Sequence, residues 1–377
     1  MKNHRKIFYF LLACLLLAVA AYSLAKKIRE ELLLKEKISQ MIMIGFRGAR
    51  PSDPGVKSVL DQIKRGQIGG ILLLGPNITG RQQLETLLIN FQTSHKSGYP
   101  LLIALDQEGG TVGRLSSQNG FRDYPSAKQI AATLAPEEAG GVFSDVARLL
   151  KELGVNLNLA PVVDLEINEQ LGVISGKERS FSKDPAAVTL YAEKFIDAHR
   201  EYGILTAAKH FPGHGSAGTD THFEVTDVTG RWQEVEIEPY RALIQKSKLD
   251  MVMSAHIFNR NIDERLPASL SAKYIQELLR EKIGFRGVVI TDDLQMGAIR
   301  KVFTLEDVLL YAVNSGSDIL LFANYFEEDR MIPQKARKIL LRAVREGKIP
   351  KGRIDESFER IRRLKSRLSR ASYDQTP

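Results

Sequence analysis

Eight short apolar runs, separated by longer stretches of helical period, constrain this chain more than any other feature. The runs cover residues 38–46, 69–74, 101–106, 156–164, 204–210, 251–256, 288–292 and 318–323. Most are continuous rather than alternating, as parallel strands covered on both faces require. Helical periodicity fills the gaps, at 82–94, 136–153, 185–202, 238–248, 272–282 and 305–315, and continues at 333–346 and 354–368. Strand and helix alternating eight times predict a (β/α)8 barrel of the TIM type. An open doubly wound sheet would favour a glycine-rich phosphate loop after the first strand, where only Gly45-Phe46-Arg47-Gly48 stands. With no Pro/Ser-rich linker interrupting the pattern, residues 26–377 read as one barrel domain with basic C-terminal helices.

The chain has 377 residues and a formal net charge of +8. That excess sits at the two ends. Residues 1–25 carry Lys2, Arg5 and Lys6, and residues 330–370 hold 15 Lys and Arg against 4 Asp and Glu, which leaves the middle mildly acidic. No basic patch with interleaved aromatics appears there, so no nucleic-acid partner is expected. The basic C-terminal stretch reads as a solvated outer helix face, which in an anchored protein would lie against anionic lipid. The single cysteine, Cys14, excludes a disulfide framework, a CxxC pair and a cysteine-rich zinc site.

Residues 1–25 read as an export segment: a positive start, an uncharged and mostly apolar run over 7–25, then Lys26-Lys27. Ser23-Leu24-Ala25 suits signal peptidase, yet the run approaches the roughly 20 residues that span a bilayer, which favours an uncut anchor. Leu11-Leu12-Ala13-Cys14 resembles a lipobox, but the apolar run continues well beyond the cysteine. An exported protein, periplasmic or otherwise extracytoplasmic, either released after cleavage of residues 1–25 or anchored in the cytoplasmic membrane through residues 7–25, is the expectation.

In a parallel barrel the chemistry sits where strands end. Asp106-Gln107-Glu108 closes the third run, Asp164 the fourth, Lys209-His210 the fifth, His256 the sixth and Asp292-Asp293 the seventh. Five polar strand ends on one rim exceed what strand capping accounts for. The stretch Lys209–His222 holds three histidines and an aspartate. His210 and His214 have the spacing of a zinc-binding helix, but Pro212, Gly213 and Gly215 argue against a helix and no HExxH is present. The alternative is a loop carrying an Asp220–His222 pair, in which a carboxylate orients an imidazole for acid/base work. A β-branched strand delivers Asp292 to the rim as a rigid carboxylate fit for nucleophilic attack, while Asp293, on the other side, reads as bonding loop amides. His214 and His256 read as satisfied structural histidines, with direct substrate contact the lesser option, as for Glu108 and Asp164. Trp232 is either a sugar platform or core packing.

The runs KHFPGHGSAGTDTH, VVITDDLQMGA, ALDQEGGTVGRL and ERSFSKDP together resemble glycoside hydrolase family 3, in its β-N-acetylglucosaminidase branch that trims bacterial cell-wall fragments. The likeness runs from about residue 35 to 350. It implies a retaining hydrolase of terminal β-linked N-acetylglucosamine, with Asp292 as nucleophile and the Asp220–His222 dyad as acid/base. It also implies that Asp106, Arg114, Arg179, Lys209 and His210 hold the terminal sugar, with no cofactor and no metal, in a monomer whose partner is a small glycan. Thr221 stands where serine is commoner, and no second sandwich domain follows residue 350, which favours the small N-acetylglucosaminidase type. The competing readings are a β-glucosidase or glycoside phosphorylase of the same family, and a catalytically silent, membrane-tethered glycan-binding protein.

Overall fold

The computed structural model describes residues 2–168, 172–219, 221 and 224–373. Eight parallel strands form one sheet: β1 (Ile42–Gly45), β2 (Gly70–Leu72), β3 (Leu102–Leu105), β4 (Leu157–Asn158), β5 (Leu205–Phe211), β6 (Met251–Ser254), β7 (Val288–Thr291) and β8 (Leu320–Phe322). Their spatial order is β7-β6-β5-β4-β3-β2-β1-β8, and a parallel bridge between Ile290 and Ile319 joins the two ends. The sheet is therefore the expected (β/α)8 barrel. Ten helices matter here: α1 (Lys2–Gln40), then α2 (Pro54–Lys64), α3 (Arg81–Ser94), α4 (Pro136–Leu153), α5 (Pro185–Glu201), α6 (Glu238–Gln245), α7 (Lys273–Lys282) and α8 (Leu305–Ser315) around the wall, with α9 (Ile332–Arg345) and α10 (Lys351–Tyr373) last.

Seven of the eight strands are shorter than their apolar runs, and in two the loss has an identifiable cause. Residues 38–40 belong to the last turn of α1, where Leu34 and Ile38 lie one turn apart and both bury into the core. The fourth run keeps only Leu157–Asn158 as ladder, plus an isolated bridge at Val162, because Pro161 has no N–H to donate. Close backbone approach closes the barrel elsewhere. A Cβ on Gly45 would stand 2.0 Å from the Ala323 carbonyl oxygen.

The face of the barrel where strands begin is covered by α10, and its cations correct the expectation of a solvated basic face. Asp318, fully buried just before β8, accepts from Arg280 (2.8 Å), Arg353 (3.0 Å), Arg360 (3.0 Å) and Ser357 (2.7 Å). Lys365 is buried and donates to Gln40 Oε1 (2.6 Å) and to the Gly69 carbonyl (2.7 Å), and burial pulls its ammonium down to about 7. Arg367 pairs with Asp250, just ahead of β6. Lys351, Arg362 and Arg363 on the same helix do face solvent.

Helix α1 runs unbroken past the expected boundary at residue 25. Its first part carries exposed Tyr9, Phe10, Leu15, Leu16, Leu17 and Tyr22. The stretch Tyr9–Gln40 is long and apolar enough, by length and composition, to cross a membrane. Its end docks on α9 and α10, where Glu31 pairs with Arg345 (2.9 Å) and Lys37 with Asp355 (2.7 Å).

Candidate active site

The opposite face, where strands end, holds a cavity of about 490 Å3. Eight residues singled out in the sequence line it together: Asp106, Glu108, Arg114, Arg179, Lys209, His210, Asp292 and Asp293. Asp106 follows β3 directly. A tight antiparallel hairpin, Gln107–Gly109 with Val112–Gly113, then reverses the chain and returns Arg114 beside it. Arg114 Nη2 reaches Asp106 Oδ2 at 2.9 Å, and Lys209 Nζ from β5 reaches Oδ1 at 2.8 Å. Burial alone would raise the Asp106 carboxyl, but Lys209 and Arg114 outweigh it and hold the group well below the usual carboxylate range.

Glu108 is the member whose importance sequence reasoning underrated. Its carboxylate takes a bidentate pair from Arg179, Nε to Oε2 and Nη2 to Oε1 both at 2.7 Å, and also meets Lys209 Nζ at 2.6 Å. Burial opposes ionisation here too, yet Arg179 and Lys209 lower it to about 2, while Glu108 in turn raises the buried Arg179 above its ordinary value. The two acids and three bases thus meet within hydrogen-bond range, and their charges cancel except for one cation in excess, leaving a polar wall of low net charge. Such a wall suits a neutral polyol, since fixed cations donate and fixed carboxylates accept from hydroxyls. The sequence signal was the spacing Asp106-x-Glu108 at a strand end.

His210 is oriented from below. Asp164, fully buried, accepts His210 Nδ1 at 2.7 Å and the backbone N–H groups of His210 (3.1 Å) and His214 (2.8 Å). This bond puts the proton on Nδ1 and leaves Nε2 towards the cavity, 3.3 Å from Arg179 Nη2. Asp164 is thus a positioning group rather than a cavity residue. His214 is buried, its Nδ1 has no partner among the described residues, and burial lowers it to about 4. His256 is also buried, bonded to Ser269 Oγ (2.6 Å) and the Asp293 carbonyl (2.9 Å), so it is the satisfied structural histidine expected, whereas His214 is buried without a partner at Nδ1 among the described residues.

The loop after β5 is seated by close packing. Gly213 takes φ +117°, and a Cβ there would stand 2.5 Å from Glu236 Cβ; at Gly215 it would stand 1.9 Å from the Leu165 carbonyl oxygen. Trp232 donates to the Pro212 carbonyl at 3.3 Å and packs towards the core, so it braces the loop and does not line the cavity. Glu236 is fully buried and accepts from the Ser216 and Gln233 amides at 3.3 and 3.2 Å; burial pushes its carboxyl up to about 7. Further along, Thr221 is buried and its carbonyl accepts from Ala298 N (3.2 Å) in the segment that follows β7. Asp220 and His222 lie outside the described residues.

Asp292 stands at the end of β7, and its Oδ1 accepts from the Asp293 amide at 2.8 Å. Asp293 also borders the cavity, and its Oδ1 accepts from Gln295 N (3.0 Å) and Ala323 N (2.8 Å), the loop-amide role read from the sequence. The glycosyl hydrolase family 3 N terminal domain model matches residues 33–364, spanning every strand of this barrel and every residue of the cavity wall. The chain belongs to glycoside hydrolase family 3. This family 3 chain is 37% identical over 271 residues to a beta-hexosaminidase of Tolumonas auensis, covering 70% of this chain and 77% of that one. Beta-hexosaminidase A of Pseudoalteromonas piscicida is 31% identical over 334 residues, 82% of this chain but 55% of the relative. Among solved structures, a family 3 beta-N-acetylglucosaminidase from a Paenibacillus species superposes with a TM-score of 0.80 at 32% identity, covering 89% of this chain and 62% of that one. A beta-N-acetylhexosaminidase from Beutenbergia cavernae gives 0.80 at 26% identity, covering 88% and 98%. This chain is accordingly a glycoside hydrolase, and it spans little more than half the length of two of these four relatives.

Proposed function

We propose that this family 3 chain is a retaining exo-β-N-acetylglucosaminidase that removes terminal N-acetylglucosamine from peptidoglycan fragments outside the cytoplasm. The observation that carries the proposal is the meeting of Asp292 with the neutralised Asp106–Lys209–Glu108–Arg179 wall in one cavity. The names of the relatives support the sugar, and the apolar start of α1 supports export and an anchor. In this reading Arg114, Arg179, Lys209, Asp106 and His210 hold the hydroxyl and N-acetyl groups of the terminal sugar. Ionised Asp292 attacks the anomeric carbon while His222, oriented by Asp220, gives its proton to the departing glycosidic oxygen. His222, now neutral, takes a proton from water as that water attacks the glycosyl–Asp292 ester and frees the carboxylate. Two inversions give net retention.

Asp292→Asn is expected to lower the hydrolysis of p-nitrophenyl N-acetyl-β-glucosaminide roughly 10⁴-fold or more. Proton NMR of the first-formed sugar should show the β anomer. An unchanged rate in the variant, or the α anomer first, refutes the mechanism. His222→Ala should cost far more on alkyl than on nitrophenyl aglycones, because only poor leaving groups need the proton.

A further inference from the structure

Outside α1, the exposed large aromatics among the described residues are Tyr311, Tyr325 and Phe326. Tyr325 and Phe326 are 51% and 40% exposed, and both line the cavity that holds Asp292. They stand on the loop after β8, beside the strand that delivers Asp292. Their rings meet edge to face, centroids 4.9 Å apart at 84°, forming a corner rather than a flat patch.

That corner is held by a built frame. Arg47 Nη2, after β1, donates to the carbonyls of Tyr325 (3.1 Å) and Phe326 (3.0 Å). Asn324, at φ +52°, donates from Nδ2 to the Gly45 carbonyl (2.9 Å) and from its backbone N–H to Gln295 Oε1 (2.8 Å). Two solvent-facing aromatic rings on a backbone fixed from β1 and β7 cost a ligand little ordering on contact.

We propose that Tyr325 and Phe326 form the subsite for the leaving-group sugar, stacking on the C–H face of a β-linked pyranose joined to the glycoside bound at Asp292. The inference rests on the reading of the cavity as a terminal-sugar site. Fixed charges crowd the wall built by β3 to β5, which suits the hydroxyls and amide of the first sugar. A pyranose with equatorial substituents presents axial C–H groups on its faces, which are the complement of an aromatic ring. The pair lines the same cavity from the β8 side, away from the charged wall on β3 to β5, so it can receive the apolar face of a second ring while the wall holds the first.

Two donors separate the subsite from the site. N,N′-diacetylchitobiose places a second pyranose on the pair, whereas N-acetyl-β-glucosaminyl azide has a leaving group too small to reach it. In the double variant Tyr325→Ala/Phe326→Ala, the ratio of kcat/KM for the disaccharide to that for the azide is expected to fall roughly tenfold. Tyr325→Phe and Phe326→Tyr should keep the ratio within about twofold of the unaltered protein, because the rings remain. An unchanged ratio in the alanine variant overturns the subsite, and so does an equal loss in the aromatic-for-aromatic variants. Azide turnover in each variant reports its folding. If the unaltered protein cleaves neither donor, the terminal-sugar reading fails instead.

Discussion

At the residue scale, the cavity wall is a chain of coupled ion pairs, and Glu108 is its middle link. Removing it leaves Arg179 and Lys209 buried with one partner fewer, so Glu108→Ala is expected to cost about 3–5 kcal/mol in urea unfolding and to abolish activity. Glu236 offers a cleaner titration. Its carboxyl is raised from an ordinary 4.5 to about 7, so the folded state keeps a proton that the unfolded chain has already lost across that window. Folding stability therefore falls as pH rises from about 4.5 to about 7, and the full penalty, of order 3 kcal/mol, persists above it. Glu236→Gln should accordingly gain on the unaltered protein between thermal melts at pH 4 and pH 8. An equal difference at both pH values would mean that Glu236 titrates alike in the folded and unfolded states. The residues that line the cavity were legible because strand-end position and charge type are written in the sequence. The division of labour among them was not. Asp164 and Glu108 looked alike as acidic strand-end residues, and only the hairpin at 107–113 and the buried position of Asp164 separate the one facing the cavity from the one beneath it.

At the scale of elements, hydrophobic periodicity identified all eight strands, since a strand buried on both faces leaves a continuous apolar run. Boundaries failed where another signal competed, as at Ile38, which is apolar for helix packing rather than for the sheet. The basic C-terminal stretch misled for a related reason. A cation count carries no direction, and α10 turns Arg353, Arg360 and Lys365 inward to satisfy carbonyl and carboxylate groups where the strands begin. Asp318 is the keystone of that contact. Asp318→Ala would leave three guanidiniums facing each other at low exposure, and a loss of about 3–5 kcal/mol is expected in chemical denaturation. Arg362→Ala, on the solvent side of the same helix, should change stability by less than about 0.5 kcal/mol.

At the scale of the whole molecule, the apolar half of α1 and the segment that docks on the barrel are parts of one helix. With the anchor proposed for residues 7–25 in place, the full chain is expected to sediment with membranes and to be released by detergent but not by high salt. Release by salt alone would contradict a spanning anchor. The unbroken course of α1 also fixes a direction. Residues 26–40 rise about 22 Å as a helix and enter the barrel at the end where strands begin, while Asp292 and its cavity open at the other end. With the proposed anchor in place, the mouth of the cavity is expected to face away from the bilayer, leaving sugars on lipids of the same leaflet out of its reach. Reconstituted in vesicles, the full chain should cleave dissolved disaccharide while sparing the same terminal sugar carried on a short-headed lipid in the same leaflet.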